Sequence, residues 1–279
     1  MSPHTPLWRV IQPAFCDTAK EKEEGKLVEV FAREGEGQKP RLSVAVFAYN
    51  EEENIEAFFE ELLGWAYPRN PRVPSVEIIF VDDGSKDRSL ERAASMLRGH
   101  LHQILRHPKR MGIGAAIKSA VQVARGEWFT FLPADGQVPP VALELLWDAV
   151  QSHGVDLGLS VYERRDDGLH RALLSRGVRN LIEWTFGLRL QSDGPYLLRK
   201  DLLDWRSLEP NSFFLNFEVP IRLLKKKTPY VITRVPCRPR RRGRSKTSNI
   251  QTIAQVCADL WRLKLKMMMN ENDDKKMTR

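Results

Sequence analysis

The sequence predicts a doubly wound α/β fold, in which a mostly parallel sheet carries helices on both faces. Two observations point to it. Short apolar runs rich in β-branched residues alternate along the chain with longer segments whose apolar residues recur at helical spacing. The segments that follow the apolar runs are short and polar or glycine-bearing, as expected where parallel strands leave a sheet on one side. The 279 residues suffice for one large domain of this class with short appendages.

The elements follow in order. Residues 1–40 are Glu-, Lys- and Gly-rich with little periodicity, so they are expected to be a partly ordered extension, with regular structure starting at Arg41. Leu42 to Phe47 reads as a buried strand. Ile55, Phe58, Phe59, Leu62 and Leu63 then share one helical face. Pro68, Pro71 and Pro74 mark a loop before a second strand, Val76 to Val81. Asp87 is placed to cap a helix carrying Leu90, Ala94 and Leu97, and His102 to Leu105 is a shorter strand. Gly112 and Gly114 open a helix with Ile117, Ala120, Val121 and Ala124 on one face, and Gly126 is expected to close it.

Trp128 to Leu132 is the next strand, ended by Pro133. Pro139-Pro140 begins a helix carrying Leu145, Leu146 and Ala149. A strand over Asp156 to Val161 follows, and Tyr196-Leu197-Leu198 reads as an edge strand. Near the C-terminus, Ile250, Ile253, Ala254, Cys257, Leu260 and Trp261 share a helical face. Basic residues and Met267 to Met269 follow, so this helix either packs on the domain or rests on a membrane surface. The expected organisation is an extension over 1–40, a catalytic unit over 41–248, and an amphipathic helix with a basic tail over 249–279. No internal repeat is seen.

The net charge of +8 is concentrated: between Val219 and Ala258 lie eleven Lys and Arg and no acid. Such a field calls for an anionic partner, unless the run is simply solvated. The run Arg238 to Arg244 has no interleaved aromatic residues, so a base-stacking platform is poorly supported and no nucleic-acid partner is expected. Cys16, Cys237 and Cys257 are far apart and form no metal-like spacing, which suggests a reducing compartment. No signal-peptide pattern and no run of ~18 uncharged apolar residues is present, so a soluble or peripheral protein is expected.

Two strand exits carry chemistry. In Asp82-Asp83-Gly84-Ser85 the carboxylates are placed to accept hydrogen bonds from a ribose or a base, with a helix N-terminus nearby for a diphosphate; a capped tight turn is the competing reading. In Leu132-Pro133-Ala134-Asp135-Gly136-Gln137, Asp135 and the Gln137 carbonyl are hard oxygen donors suited to Mg²⁺ or Mn²⁺, though Pro, Asp and Gly also favour plain turns.

These segments, in this order and spacing, resemble the motifs of family 2 glycosyltransferases. Val44 to Ile55, containing Ala48-Tyr49-Asn50-Glu51, is similar to the family's opening strand and loop. Val81 to Ser85 resembles its second motif. Arg106-His107-Pro108 through Ala116, with Ala124 to Trp128, resembles its third, and Ala134 to Gln137 stands where the family has its metal motif. The resemblance runs from about Arg41 to Ser248 and is closest to dolichyl- or polyprenyl-phosphate sugar transferases. It implies a Rossmann-like GT-A fold and inverting transfer of a sugar from a nucleotide donor to a lipid phosphate, with Mg²⁺ or Mn²⁺ as cofactor; a cytoplasmic location is expected, with a lipid acceptor reached by peripheral docking at the cytoplasmic face of a membrane. It further implies that Ala48, Tyr49, Glu51, Asp82, Asp83 and Gly112 meet the donor nucleotide, and that Asp135 and Gln137 meet metal and diphosphate.

Ser212 to Glu218 resembles the segment that presents an acid, Glu218, to the acceptor. Arg240 to Lys246 resembles the Arg-x-x-Gly-x-Ser-Lys loop of the lipid-phosphate enzymes, implying that Arg241, Arg244, Ser245 and Lys246 hold the acceptor phosphate. Forked guanidinium donors suit that task. Arg164 and Arg171 stand where the subgroup has further acceptor-side arginines, and Asp193 matches an acid-bearing turn near the acceptor sugar. His107 is expected to be an exposed loop residue. Two departures stand out: Phe47 replaces a usual proline, and Pro133 replaces the first acid of an Asp-Ala-Asp metal motif. Two other functions therefore stay open: a transferase acting on a soluble hydroxyl, with Glu218 as its base, and a catalytically degenerate nucleotide-sugar-binding relative.

Overall fold

In the computed structural model, the described residues are 29–34, 39–67, 75–163, 168–192, 194–208, 211–239 and 250–277. The strands are Glu29–Glu34 (β1), Leu42–Ala48 (β2), Val76–Asp82 (β3), His102–Arg106 (β4), Trp128–Pro133 (β5), Leu157–Tyr162 (β6), Leu197–Arg199 (β7) and Val231–Val235 (β8). The helices are Glu52–Ala66 (α1), Ser89–Met96 (α2), Ile113–Val123 (α3), Val141–His153 (α4), Gly168–Phe186 (α5), Leu215–Lys225 (α6) and Ile250–Met277 (α7). The strands form one sheet in the order β1-β4-β3-β2-β5-β7-β6-β8, with four of its seven pairings parallel.

Alternation along the strands builds two apolar layers. Val44, Val46, Ile78, Phe80 and Leu132 face one side, where α1, α2 and α4 supply Ile55, Phe59, Leu62, Ala93, Leu146 and Trp147, joined by Leu97 just after α2. Ala45, Ile79, Val81, Phe129 and Phe131 face the other, against Ile117, Ala120 and Val121 of α3 and Leu215, Val219 and Leu223 of α6. A third cluster joins the outer side of α6 to α5 and α7 through Ile182, Phe186, Ile221, Val256, Leu260 and Leu263. The expected helices on both faces are present.

Connectivity fixes where a ligand belongs. From β2 the chain steps outward to β3 and β4, then returns through α3 to β5 on the other side of β2. The C-terminal ends of β2 and β5 therefore flank the switch point, where the two diverging connections leave a crevice.

Several elements differ from expectation. Regular structure begins before Arg41: β1 adds to the sheet edge antiparallel to β4. β7 is interior, pairing antiparallel with both β5 and β6, because the return from α5 inserts it between them. Leu145 is exposed while Leu143 and Leu146 are buried. On α7 the core-facing residues are Val256, Leu260 and Leu263, and Trp261 points outward.

Gly126 does not close α3 with a left-handed residue, since its φ is not positive. Its lack of a side chain serves a close approach instead: a Cβ there would lie 2.6 Å from the Ser43 nitrogen. Beside it the buried Glu77 carboxylate accepts from Ser43 Oγ at 2.6 Å, the Arg125 main-chain N–H at 2.5 Å, Arg125 Nε at 3.0 Å and Gly126 N–H at 3.2 Å. This buried clamp holds the α3–β5 return near the N-terminal ends of β2 and β3, away from the strand exits.

Candidate active site at the strand exits

Register brings the predicted donor residues to one edge. Ala48 pairs with Asp82 across β2 and β3, and Phe47 pairs with Pro133 across β2 and β5. Hydrogen bonds continue past the strand ends, from Asp83 N–H to the Ala48 carbonyl at 2.9 Å, Ala134 N–H to Phe47 at 3.1 Å and His107 N–H to Asp82 at 2.9 Å. The Asp83 and Asp135 segments thus leave the same sheet edge, on either side of β2. Strands lie about 4.8 Å apart, so two steps across the sheet separate them by roughly 10 Å.

The loops at this edge are stitched together by main-chain donors. Asn50, at φ 52°, donates its N–H to Ser85 Oγ at 2.9 Å and accepts from Lys86 N–H at 2.8 Å. Glu51 N–H reaches Ser89 Oγ at 2.8 Å, and Glu52 N–H reaches Asp87 at 3.2 Å. The Glu51 carboxylate accepts from Asn54 at 2.7 Å. Arg110 lies over the Tyr49 ring at 4.7 Å, closing the rim between the first and third loops.

The two aspartates have different roles. Asp83 is a hub. Its Oδ1 accepts from His107 Nδ1 at 2.7 Å and Met111 N–H at 2.8 Å, and its Oδ2 accepts from Gly112 N–H at 2.9 Å. It shapes the 106–112 loop with both oxygens. His107 is fully buried, not an exposed loop residue, and its Nε2 faces Ser119 Oγ at 3.0 Å. Asp82 is fully buried with Oδ1 on Ser85 N–H at 3.2 Å, while Oδ2 has no hydrogen bond and sees Arg106 Nε at 3.7 Å. Burial raises its pKa above the ordinary carboxylate value, against the lowering effect of Ser85 and Arg106. Its orphaned oxygen marks Asp82 as the member of the pair with acceptor capacity left to give.

Glycines let these loops approach. Gly84 has φ 76°, and a Cβ there would lie 2.5 Å from the Lys109 carbonyl carbon. Gly112 has φ 96°; its N–H is taken by Asp83, and a Cβ would meet the Asn211 carbonyl oxygen at 2.7 Å. That carbonyl accepts from Gly114 N–H at 3.0 Å and Ala115 N–H at 3.3 Å, capping α3. Gly112 is thus a joint between the donor loop and the 211–212 segment, rather than a free main-chain donor.

At the β5 exit, Asp135 Oδ1 accepts from Gln137 N–H at 3.1 Å, across Gly136 at φ 71°. The Gln137 carbonyl, expected to face a cation, accepts from Arg238 N–H at 2.8 Å. Arg238 also pairs with Glu61 at 2.9 Å. Arg238, the first arginine of the basic run, is thus bonded to the Asp135–Gln137 turn. Among the described residues no group of three or more His, Cys, Asp or Glu is arranged to hold a metal.

Glu218 is buried on the first turn of α6, and both Nε and a terminal nitrogen of Arg222 lie 2.7 Å from its Oε1. The buried Tyr196 hydroxyl has no hydrogen-bond partner, and burial followed by the nearby Glu218 charge raises its pKa. Arg164, Asp193, Arg241, Arg244, Ser245 and Lys246 lie outside the described residues, as does the side chain of Arg171. The structure thus brings Ala48, Tyr49, Glu51, Asp82, Asp83 and Asp135 to one edge. Sequence reasoning misses His107, Asn211 and Asp259, whose carboxylate accepts from Ser212 Oγ at 2.6 Å.

The family model for Glycosyl transferase family 2 matches residues 43–207, a stretch holding every one of these strand exits. The chain belongs to this family. Among curated members, a dolichol-phosphate mannosyltransferase of Pyrococcus furiosus is 28% identical over 234 residues, covering 80% of this chain and 63% of the relative. An undecaprenyl-phosphate 4-deoxy-4-formamido-L-arabinose transferase of Pectobacterium atrosepticum is 35% identical over 156 residues, covering 55% and 46%. The chain thus spans about half to two-thirds of the length of these relatives. A solved glucosyl-3-phosphoglycerate synthase of Mycobacterium tuberculosis, in complex with Mn²⁺, UDP-glucose and phosphoglyceric acid, superposes with a TM-score of 0.63 at 21% identity, covering 81% of this chain and 80% of that one. That likeness shows the shared GT-A fold.

Proposed function

We propose that this chain is an inverting glycosyltransferase that moves a sugar from a nucleoside diphosphate to a polyprenyl or dolichyl phosphate, acting at the cytoplasmic face of a membrane. The catalytic unit in this reading is 41–248. One observation supports the acceptor assignment: Arg238, which opens the basic run, donates its N–H to the Gln137 carbonyl in the turn that bears Asp135. A phosphate held by the arginines of that run would meet the donor diphosphate across the strand exits. The names of the Pyrococcus and Pectobacterium relatives, both lipid-phosphate transferases, support the same substrate class.

In this reading the donor nucleoside lies against Ala48, Tyr49 and Glu51, with Asp82, whose buried Oδ2 has no hydrogen bond, as its polar anchor. Asp83 and Gly112 hold the loop that frames it. The oxygen of Asp135, at a strand exit, suits a hard divalent cation; Pro133 leaves it the single carboxylate of the motif, so donor phosphates and water would have to supply the remaining ligands. When bound, Mg²⁺ or Mn²⁺ would supply charge neutralisation for the departing diphosphate. The chain's own part is positioning and electrostatic stabilisation.

A phosphate monoester is largely dianionic at neutral pH, its second pKa being about 6. It attacks without a general base. This agrees with Glu218, whose carboxylate is engaged by Arg222. A hydroxyl acceptor would need the base that Glu218 is poorly placed to be.

The test is product analysis with UDP-, GDP- and dTDP-sugars offered with polyprenyl phosphate or with soluble hydroxyl acceptors, with and without Mn²⁺. A glycosylated lipid phosphate formed only with metal is expected. Transfer solely to a hydroxyl acceptor would overturn the acceptor reading, and nucleotide binding with no transfer at all would favour the degenerate relative.

A further inference from the structure

The helix α7 has two apolar faces, and only one is covered. Val256, Leu260 and Leu263 pack against Ile182 and Phe186 of α5. On the opposite side Trp261 and Leu265 are 48% and 59% exposed, with Met268 and Met269 beside them. These positions recur at i, i+4, i+7 and i+8, a single helical stripe. From α5, Trp184 joins it: 74% exposed, its ring stands edge-on to Trp261 at 6.2 Å. Monomeric proteins rarely leave two tryptophans and a continuous Leu/Met stripe in water unless the surface has a partner.

The charges around the stripe say which partner. Between residues 255 and 269 the charged side chains reaching solvent are cationic: Arg262 is exposed, and Lys264 and Lys266 are half-buried, with Lys264 Nζ over the Phe186 ring at 5.6 Å and Lys266 Nζ on the Ser207 carbonyl at 3.3 Å. The single acid, Asp259, is buried and accepts from Ser212 Oγ at 2.6 Å and Arg262 at 3.2 Å. On α5, Glu183 is taken by Arg189 at 3.5 Å. Across residues 255–269 a two-fold contact between copies would set cations against cations. An anionic bilayer matches both features: indole rings favour the headgroup boundary, the Leu/Met stripe enters it, and the cations meet lipid phosphates.

We infer that the α5–α7 face bearing Trp184, Trp261, Leu265, Met268 and Met269 docks on the surface of an anionic lipid bilayer. No helix among the described residues is long and apolar enough to cross a membrane, so this face gives the chain a way to reach an acceptor held there. The docked helix is also tied to the donor loop: Asp259 holds Ser212, and the adjoining Asn211 carbonyl caps α3 beside Gly112. The purpose of docking rests on the lipid-acceptor reading; the docking itself does not.

The test is co-sedimentation of the full chain with phosphatidylcholine vesicles, with and without one-fifth phosphatidylglycerol, for the parent and the Trp184→Ser/Trp261→Ser double variant. Turnover on a short, water-soluble prenyl phosphate and analytical ultracentrifugation accompany it. The parent is expected to bind the anionic vesicles, less in high salt, and the double variant about tenfold more weakly with an unchanged circular dichroism spectrum and unchanged turnover. Equal binding by both proteins, or no binding by the parent, overturns the inference. So does a parent dimer that the variant loses, which would make the face a self-contact. Vesicle binding by a parent that fails to glycosylate the short acceptor would instead count against the acceptor reading alone.

Discussion

Replacing Gly84 with alanine tests whether the third loop is held where the donor site needs it. The residue has φ 76°, which costs an alanine about 1–2 kcal/mol. Its Cβ would also stand 2.5 Å from the Lys109 carbonyl carbon and 2.8 Å from the Arg110 nitrogen, both main-chain atoms with no rotamer to escape through. The 106–112 loop must therefore lift, and the Asp83 bonds to Met111 and Gly112 N–H stretch with it. Hydrogen bonds to a charged group contribute about 1.5–3 kcal/mol each, so losing even one brings the total to about 2.5–5 kcal/mol. Urea unfolding measures this, and titration with a nucleoside diphosphate should show binding weakened about tenfold or more in the protein that remains folded. Gly64→Ala is the control: Gly64 lies in α1, and a Cβ added there would meet nothing within 4 Å, so alanine should stabilise by about 0.5–1 kcal/mol. A Gly84→Ala protein within about 1 kcal/mol of the parent, binding nucleotide as well, would refute the reasoning.

Three further outcomes follow from the geometry. His107→Asn can still offer a donor to Asp83 where Nδ1 stood, whereas His107→Gln cannot, so nucleotide affinity by calorimetry should stay close to the parent in the first and fall about tenfold in the second; equal affinities would remove His107 as a positioning residue. Glu77→Ala strips at least four donors of a buried acceptor and should cost about 3–5 kcal/mol in urea melts while leaving nucleotide affinity intact in the folded fraction; a loss of affinity at unchanged stability would contradict its purely structural place. The raised pKa of Asp82 means that the folded state holds the proton more tightly than the unfolded chain, so its contribution to stability is lost as pH rises above the ordinary value of 3.8 and stays lost at neutral pH. Asp82→Asn should therefore gain on the parent with rising pH in unfolding experiments from acid to neutral, and the opposite slope would show that Arg106 and Ser85 outweigh burial.

The fold is legible wherever a local period decides the matter. The runs of β2, β3 and β5 and the Ile55–Phe59–Leu62 face of α1 are buried as their spacing implies. Position in the sheet is a non-local property, and there the sequence is silent. β1 draws its order from pairing with β4, and the short β7 reads as an edge although it lies between two strands. On α7, apolar residues on both sides of the helix leave its rotation undetermined, so periodicity alone puts Trp261 in the core where the fold puts Leu263.

The site shows the same division. Ala48 to Glu51, Asp82-Asp83 and Asp135 are readable because each follows a strand directly. The role of His107 is hidden because a histidine before a proline looks like loop, and only the fold reveals Asp83 and Ser119 on either side of its ring. Asn211 and Asp259 act across long sequence separations, through a main-chain oxygen in one case, and no local pattern announces them.

The central claim is that Asp135 supports a cation-bound sugar nucleotide beside the Asp82–Asp83 pair. Its most direct test is the affinity for UDP and GDP by calorimetry, with Mn²⁺ and with chelator, in the parent and in Asp135→Asn. The parent should bind one of these nucleotides about tenfold or more tightly with the metal, and Asp135→Asn should lose that gain while keeping the metal-free affinity. A parent whose nucleotide affinity is indifferent to the cation, or an Asp135→Asn protein that keeps the full gain, would contradict the account.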